Sequence, residues 1–154
     1  MNTEKMTNKP SEGTVLAVCI STLKGEQKTP QDTITLLPEH GIDGDAHAGA
    51  WHRQISLLSK SSVDTLQAKV DISLRAGIFA ENILLDGINV KDLPIGTKLS
   101  VGTARLEVTQ IGKECHADCI IRQKAGDCVM PREGVFARVL NGGSVRAGDT
   151  VRVE

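Results

Sequence analysis

Short apolar runs and stretches of alternating apolar and polar positions follow one another along most of the chain, and both are typical of β-strands. Residues 14–20, TVLAVCI, form a near-continuous apolar run, as expected for a strand that is buried on both faces. Residues 33–37 alternate and stop at Pro38, and residues 54–59 form a further stretch of strand length. These patterns predict three strands in the first part of the chain.

The clearest pair of strands spans residues 97–111. Leu99 and Val101 alternate with polar neighbours, as do Leu106 and Val108 further along. A glycine between the two stretches supplies a tight turn. The pattern predicts a β-hairpin here, and SVRAGDTVRVE at the end of the chain predicts a last turn and strand.

A short amphipathic helix is predicted over residues 61–69. Val63 and Leu66 fall at helical spacing, and Ser61 with Asp64 resembles a capping box. We therefore expect a helix whose apolar side packs against the strands.

A second helix is predicted after Pro131, because proline is tolerated in the first turn of a helix. Its one apolar stripe would comprise Val135, Phe136, Val139 and Leu140. The sequence NGG that follows is a helix stop signal.

About seven short strands, glycine-rich turns and two helices together predict a mainly β protein. This pattern favours a small closed or nearly closed β-barrel with two or three short peripheral helices over a doubly wound α/β sheet. No internal repeat or linker divides the chain. We expect one domain over residues 13–154, after a disordered polar tail at residues 1–12.

Composition and charge exclude several classes of partner. The 154 residues carry a net charge of −1 and 2% aromatic side chains. Such a chain offers no global field for DNA or an anionic membrane, and few aromatic faces for single-stranded nucleic acid. Neither a signal-peptide h-region nor an apolar run of membrane-spanning length is present. We expect a soluble cytoplasmic protein without nucleic-acid or membrane partners, in which a local basic pocket is still able to bind a small anion.

The segment HGIDGDAHAGAWHRQ, residues 40–54, is rich in glycine, aspartate and histidine. Glycines let backbone N–H groups approach an anion, and Arg53 with His47 or His52 supplies charge-assisted hydrogen bonds. Aspartate and histidine are also metal ligands, although H-x4-H is not a strong ligand spacing. Asp45 is an ordinary turn residue as well. Anion binding, metal binding and a solvated turn all stay open from this pattern.

Two further stretches contain polar candidates. Lys24 and Lys28 follow the first predicted strand, where a lysine is most often a solvated surface residue. In GIFAENIL, Glu81 and Asn82 interrupt apolar stretches. Asn82 is suited either to a hydrogen bond with a heterocycle or to capping a turn.

Three of the four cysteines lie in one segment, GKECHADCIIRQKAGDC. Cys115, Cys119 and Cys128 have the spacing C-x3-C-x8-C, with His116 beside the first. In a reducing cytosol, clustered cysteines are more often metal ligands or catalytic groups than disulfides. A zinc site, a transient redox bond and reactive thiols stay open, because nearby charges of both signs favour and oppose a thiolate.

Four segments of the chain, taken in order, resemble the MOSC domain. This is the C-terminal domain of molybdenum cofactor sulfurases, and it also occurs as small stand-alone bacterial proteins. The segments are GIDGDAHAGAWHRQISLLS, GIFAENILLDGI, LPIGTKLSVGTARLEVTQIGKEC and CVMPREGVFARVLNGGSVRAGDTV. Each motif is weak by itself, whereas the four in order are specific. The resemblance covers the chain from about residue 13 to its end and is closest to the short stand-alone form.

The resemblance implies a MOSC barrel, similar to the pyruvate-kinase β-barrel, that binds the molybdenum–pterin cofactor, molybdopterin. The family's hallmark cysteine falls at Cys115, which would face the cofactor as a thiolate and carry sulfur or ligate molybdenum. The cofactor-binding residues implied are Lys24, Asp45, His47, Arg53, Asn82 and Lys113. Cys119 and Cys128 depart from the one-cysteine pattern, and they and His116 would be metal ligands only in a zinc site.

Two activities follow from the resemblance. One is sulfur transfer to the cofactor, with a separate pyridoxal-phosphate-dependent cysteine desulfurase as partner. The other is cofactor-dependent reduction of N-hydroxylated compounds, with an external electron donor. The alternatives are a cofactor carrier without turnover and a zinc-stabilised β-barrel with an interaction role.

Overall fold

The computed structural model describes residues 11–112 and 133–154, and within these ranges the chain is mainly β-strand. The strands are β1 (Glu12–Ile20), β2 (Thr29–Gln31), β3 (Ile34–Leu37), β4 (Gly41–Ile42), β5 (Ile55–Ser59), β6 (Ile83–Asp86), β7 (Lys98–Val101), β8 (Ala104–Ile111), β9 (Val135–Asn141), β10 (Gly143–Val145) and β11 (Thr150–Val153). An α-helix, α1 (Lys60–Gln67), and a 3₁₀ helix (Val90–Asp92) join them. No helix in the described ranges is long and apolar enough to cross a membrane.

Seven strands close into a barrel in the order β11–β7–β8–β9–β5–β6–β1, because β1 pairs again with β11. All neighbours are antiparallel except β5 and β6, which run parallel. β2 pairs with the C-terminal part of β1, while β10, β3 and β4 form a separate three-stranded sheet. The predicted small closed β-barrel is confirmed.

Aliphatic side chains fill the barrel, because alternate residues of each strand point inward. Val18, Leu57, Ile83, Val108 and Ala137 come from five neighbouring strands and are at most 1% exposed. In the part of the chain that the structure describes, no aromatic side chain belongs to this interior cluster. The barrel core therefore agrees with the aromatic-poor composition.

A second apolar cluster, the outer cluster, lies outside the barrel wall. It consists of Leu58, Val63, Leu66, Leu74, Phe79 and Phe136. Leu58 and Phe136 come from β5 and β9, and Val63 and Leu66 come from α1. The helix thus packs its apolar side on the outside of the barrel, and the predicted amphipathic helix is confirmed.

The predicted capping box at the start of α1 is wrong. The helix begins at Lys60 with Ser59 as its N-cap residue, and no side chain caps it. Ser61 lies inside the helix and donates instead to Oδ1 of Asn89 at 2.7 Å. Asp64 pairs with Lys60 at 2.8 Å. A serine caps a helix only from the residue before the first turn, and Ser61 is two positions too late for that role.

The second predicted helix is also wrong, because Val135–Asn141 form strand β9. Val135, Ala137 and Val139 are fully buried in the barrel, whereas Phe136 points to the outer cluster. β9 is hydrogen-bonded to β8 on one side and to β5 on the other, and both of its faces are covered. An apolar run of this kind matches helical spacing and strand spacing equally, and its β-branched residues suit the strand.

The predicted hairpin is confirmed as β7 and β8, with Gly102 and Thr103 between them. Gly102 has a φ of 57°, and a positive φ at the first of two turn residues is what a type II′ hairpin requires. The strands predicted near residues 14–20, 33–37 and 54–59 are confirmed as β1, β3 and β5. The last predicted strand is confirmed as β11.

Candidate functional site

Four strands and the residue before β6 bring one side chain each into a row across the outside of the barrel wall. The row runs from Cys19 through Asn82, Ser56 and Phe136 to Gln110. Each of the first four has a chain neighbour in the interior core, so these side chains point outward, and Gln110 is the pairing partner of Phe136. We call these five residues the outer row.

The Asn82 side chain holds the middle of the outer row together. Its Oδ1 accepts a hydrogen bond from the backbone N–H of Ser56 at 2.9 Å, and its Nδ2 donates to the carbonyl of Cys19 at 3.0 Å. The Ser56 hydroxyl accepts from the Asn82 N–H at 3.0 Å. Asn82 is 1% exposed and connects three strands. Its implied contact with a cofactor stays a prediction.

Cys19 is fully buried at the end of the outer row opposite Gln110. Burial, together with a smaller contribution from the nearby Glu81 carboxylate, raises the pKa of its thiol to about 12. A thiol with such a pKa is not a nucleophile at neutral pH. Cys19 therefore acts as a small buried hydrophobic residue.

Arg53 stacks on Phe136 near the β8 end of the outer row. Its guanidinium carbon lies 5.2 Å from the centre of the Phe136 ring, and its Nε donates to Oε1 of Gln110 at 3.0 Å. Nε2 of His52 lies 2.8 Å from the same oxygen. Within residues 11–112 and 133–154, no group accepts a hydrogen bond from the terminal Nη atoms of this half-buried arginine. Arg53 therefore presents two Nη atoms on a guanidinium that its neighbours hold in place.

Gln110 is a site residue that the sequence analysis missed. Its Nε2 donates to the carbonyl of Gly112 at 2.7 Å, so that its Oε1 is turned towards Arg53 and His52. The pairing of β8 is irregular between Val108 and Gln110. The available signal was its place in the chain, because it is a polar residue at the end of the hairpin that precedes the cysteine segment.

Lys28 is fully buried, and its interpretation as a solvated surface residue is wrong. Its Nζ lies 2.8 Å from Oδ1 of Asp45, and neither side chain is exposed. The same Nζ lies 3.0 Å from the Ser21 hydroxyl and 3.1 Å from Nδ1 of His47. Asp45 also accepts the backbone N–H groups of Ser21 and His47, both at 3.1 Å. This network ties the chain after β1 to residues 40–54, which we call the glycine-rich loop.

Lys24, by contrast, is exposed at the surface of the glycine-rich loop. Its Nζ lies 5.1 Å from the centre of the Trp51 ring. Trp51 donates from Nε1 to the carbonyl of His47 at 2.8 Å, and its ring meets that of His52 edge-on. The loop thus carries His47, Trp51, His52 and Arg53 from the buried Lys28 network to the end of the outer row.

Glu81 is a second buried carboxylate near this network, with 1% exposure. Its Oε2 accepts the backbone N–H of Gly77 at 2.7 Å, and its Oε1 accepts that of Phe79 at 3.1 Å. Burial raises the pKa of Glu81, and these backbone hydrogen bonds offset part of the rise. A Cβ atom at Gly77 would lie 2.1 Å from the carbonyl oxygen of Lys28, so the turn packs directly on the backbone of the buried lysine. Glu81 therefore orders the turn that covers Lys28.

The predictions for the cysteine segment concern residues that lie outside the described part of the chain, and they stay predictions. The residues are Lys113, Cys115, His116, Cys119 and Cys128. The chain leaves β8 at Gly112, whose N–H donates to the carbonyl of Gly134 at 2.7 Å. Gly112 follows Gln110 by two residues, so the described residues on either side of the segment, Gly112 and Gly134, lie beside the Arg53 end of the outer row.

No group of three or more histidine, cysteine, aspartate and glutamate side chains able to hold a metal ion is found within residues 11–112 and 133–154. Asp45, a candidate ligand in the glycine-rich loop, is instead engaged by Lys28 and by two backbone N–H groups. In the described ranges, this loop therefore gives no support to the metal-binding interpretation.

The barrel and its outer face define a small β-barrel protein with an oriented arginine beside the end of β8 and a buried lysine–aspartate pair that anchors the glycine-rich loop. The family model of the MOSC domain matches residues 44–152. The chain belongs to the MOSC domain family. A search of curated proteins found no match.

Solved structures share this fold at low sequence identity. The crystal structure of the YuaD protein from Bacillus subtilis is 18% identical, with a TM-score of 0.78 over 94% of this chain and 97% of the other. YiiM from Geobacillus stearothermophilus is 18% identical, with a TM-score of 0.72 over 92% of this chain and 75% of the other. YiiM from Escherichia coli is 19% identical, with a TM-score of 0.60 over 94% of this chain and 70% of the other.

Proposed function

We propose that this protein binds the molybdenum cofactor at the Arg53 end of the outer row, with Cys115 as sulfur carrier or metal ligand. The observation that carries the proposal is the half-buried Arg53 guanidinium, which Phe136 and Gln110 hold in place while its Nη atoms have no acceptor among the described residues. Membership of the MOSC family supports the choice of ligand, because the family is linked to molybdenum cofactor binding or sulfurase function.

The hydrogen-bond donors of this face fit an anionic cofactor. Molybdopterin carries a phosphate, and the paired N–H groups of arginine match phosphate oxygens in geometry and charge. Arg53, Lys24 and His47 would hold the phosphate and the edge of the pterin, with Asp45 and Asn82 fixing the backbone around them. When bound, the cofactor supplies molybdenum for oxygen-atom, sulfur or electron transfer. The protein's own residues bind it, orient it and provide the thiolate.

The position of Cys115 along the chain supports its role. It follows Gly112 by three residues, and three peptide units extend at most about 11 Å. The backbone of Cys115 is therefore tethered close to the end of β8 that also carries Gln110. Both proposed roles require the thiolate, so binding to a metal or to sulfur releases the thiol proton. Lys113, one residue after Gly112, is proposed as a further contact to the cofactor.

Two reactions are compatible with this site. In sulfur transfer, a pyridoxal-phosphate-dependent cysteine desulfurase in the cytoplasm would leave a persulfide on Cys115. Passing the outer sulfur to the cofactor as sulfide would take two electrons from an external reductant and would leave the Cys115 thiolate behind. In reduction of N-hydroxylated compounds, Cys115 would ligate the metal, and an external donor would supply two electrons for each N–O bond that is broken.

A cofactor carrier is the second candidate function, and one observation favours it. The carboxylates of Asp45 and Glu81 are both buried and accept hydrogen bonds from the chain itself. Of the described residues of this face, the histidines are therefore the ones left as candidate general bases. A protein that only holds the cofactor needs none.

Reconstitution with molybdenum cofactor tests the proposal. We expect bound molybdenum with a protein-derived sulfur ligand in its X-ray absorption spectrum, and the loss of that sulfur in Cys115→Ser. Arg53→Gln should weaken cofactor binding roughly tenfold to a hundredfold, as expected for loss of charge-assisted hydrogen bonds. Arg146→Gln, an exposed arginine before β11, is the control for the same change in charge. Equal cofactor affinity in the two arginine variants would refute the proposed site.

Two assays separate the proposed reactions. After treatment with desulfurase and cysteine, sulfur transfer predicts a Cys115 peptide heavier by one sulfur atom. Reduction predicts turnover of an N-hydroxylated base by the cofactor-loaded protein, and its loss in Cys115→Ala. Cofactor that binds and is released unchanged, with neither result, indicates the carrier.

A further inference from the structure

We propose that Lys28 is a positioning residue whose buried ammonium fixes His47 in the tautomer with its proton on Nε2. His47 then meets a ligand as a hydrogen-bond donor, and not as a metal ligand or a general base. The role of His47 towards a ligand rests on the proposed function, whereas the tautomer does not.

The three protons of the Lys28 ammonium match its three acceptors. An ammonium group donates three hydrogen bonds and accepts none. Its Nζ lies 2.8 Å from Oδ1 of Asp45, 3.0 Å from the hydroxyl of Ser21 and 3.1 Å from Nδ1 of His47. Each of these distances is that of a hydrogen bond, and no proton is left over.

The neighbours of Lys28 leave no other assignment of donors and acceptors. The Ser21 hydroxyl donates to the carbonyl of Leu23 at 3.1 Å, so it meets Lys28 through a lone pair. Asp45 receives hydrogen bonds from Lys28 and from the backbone N–H groups of Ser21 and His47, so every partner of its carboxylate is a donor. A charged pair with zero exposure and full hydrogen bonding is the arrangement in which buried charges persist.

Nδ1 of His47 must therefore accept, and its lone pair points to Lys28. Among the described residues, Asp45 offers a carboxylate near a protonated Nδ1, but its Oδ2 lies 3.9 Å from Nδ1, too far for a hydrogen bond. In a neutral imidazole, one nitrogen accepts and the other carries the proton. Since Nδ1 accepts, the proton is on Nε2, on the opposite edge of a ring that is 27% exposed.

This tautomer decides which chemistry His47 is able to perform. An Nε2–H group is suited to an acceptor such as a phosphate or oxo oxygen. To bind a metal or take a proton through Nε2, the ring would have to place a proton on Nδ1, which would face the Lys28 ammonium at 3.1 Å. The hydrogen bond would be lost and two donors would oppose each other in a buried site. Of the alternatives open for the glycine-rich loop, the geometry thus favours anion binding.

The test is a direct measurement of the tautomer in the wild-type protein without cofactor. Long-range ¹H–¹⁵N correlation spectra of protein labelled with ¹⁵N-histidine distinguish a protonated from an unprotonated ring nitrogen, and His47→Gln assigns the signals. At neutral pH we expect His47 to show an unprotonated Nδ1 and a protonated Nε2. A proton on Nδ1, in either a neutral or a charged ring, overturns the proposal.

Variants test the part played by Lys28. In Lys28→Met we expect the preference for the Nε2–H tautomer to be lost, and Lys28→Met/Asp45→Asn provides the same test without an unpaired buried charge. Ser21→Ala removes a different acceptor of Lys28 and should leave the His47 tautomer unchanged. A folded Lys28→Met or double variant that keeps the wild-type tautomer contradicts the positioning role.

These measurements separate the present inference from the proposed function. A wild-type protein with the expected tautomer that fails to bind molybdenum cofactor would refute the proposed function and leave the role of Lys28 intact. Cofactor binding by a protein with a proton on Nδ1 of His47 would refute the role of Lys28 and leave the proposed function intact.

Discussion

The Nζ atom of Lys28 and the Oδ1 atom of Asp45 lie 2.8 Å apart, with both side chains fully buried. Removal of one partner of such a pair leaves an uncompensated charge in the protein interior. We expect Lys28→Met to lower the free energy of unfolding by about 3–5 kcal/mol, measured by denaturation in guanidinium chloride. Lys28→Met/Asp45→Asn should recover part of this loss, because asparagine carries no charge and its oxygen still accepts one of the two backbone hydrogen bonds.

Lys24→Met is the matched control for Lys28→Met. Lys24 is exposed, and its Nζ lies over the Trp51 ring, an interaction of about 0.5–1 kcal/mol at the surface. Equal losses of stability in the two variants would contradict the assignment of Lys28 as the structural lysine.

The Asn82 side chain should stabilise the barrel whether or not a cofactor is bound. Asn82→Leu removes the acceptor for the backbone N–H of Ser56 and the donor to the carbonyl of Cys19. Each buried group left unpaired costs about 1–3 kcal/mol, so we expect a loss of about 2–6 kcal/mol in the free energy of unfolding. The exposed Asn89→Leu is the control, and a similar stability of both variants would show that the Asn82 hydrogen bonds contribute little.

Glu81 should make the stability of the protein depend on pH. Its folded-state pKa is raised, so the protonated carboxyl favours the folded state. This contribution is fully present below the unfolded pKa of about 4.3 and is lost as the pH rises through the raised folded-state value. We expect the unfolding free energy of wild type, minus that of Glu81→Gln, to fall as the pH rises from the unfolded to the folded-state pKa of Glu81.

Glu26→Gln, at an exposed position, reports the effect of the change in charge by itself. A difference between wild type and Glu81→Gln that increases with pH would mean that the backbone hydrogen bonds of Gly77 and Phe79 outweigh the burial of the carboxylate.

Cys19 should be inert towards thiol reagents in the folded protein. It is fully buried, and the pKa of its thiol is raised to about 12. We expect the Cys19 peptide to remain unmodified after treatment of the native protein with iodoacetamide at neutral pH, and to be modified after denaturation, as measured by mass spectrometry. Modification of Cys19 at the same rate in both states would contradict its burial. It would also make Cys19 a competitor to Cys115 for sulfur.

Zinc content tests whether Cys115 is available to a cofactor. If its thiolate ligates molybdenum or carries sulfur, protein purified without added metal should contain far less than one zinc per chain by elemental analysis. One zinc per chain that is released only on unfolding would instead support the zinc-stabilised barrel.

The strand pattern was predictable wherever the two faces of a strand meet different surroundings. β7 and β8 alternate in the sequence because one face fills the barrel and the other meets solvent. β9 was mistaken for a helix because Phe136 packs outside the barrel while Val135 and Val139 pack inside. With both faces covered, the alternation that marks a strand disappears.

The candidate site was only partly predictable, because long-range partners decide which polar residues are buried. Lys24 and Lys28 are equivalent in the local sequence, and only Lys28 meets an aspartate, seventeen residues later in the chain. Arg53 was recognised from its motif, but the residues that orient it come from β8 and β9. Pairing register, which the sequence pattern does not specify, brings Gln110 next to Phe136.

The number of strands in the barrel has a consequence for everything on its outer face. Strands that alternate in direction cannot close a ring of odd number, so at least one neighbouring pair in a ring of seven has to point the same way, and here that pair is β5 and β6. Neighbouring parallel strands cannot be joined by a tight turn and require a long crossover connection. The crossing between Ser59 and Ile83 contains α1 and the turn around Glu81. A ring of eight strands could alternate in direction throughout and would not need this connection. Lys28 would then lose the turn that covers it.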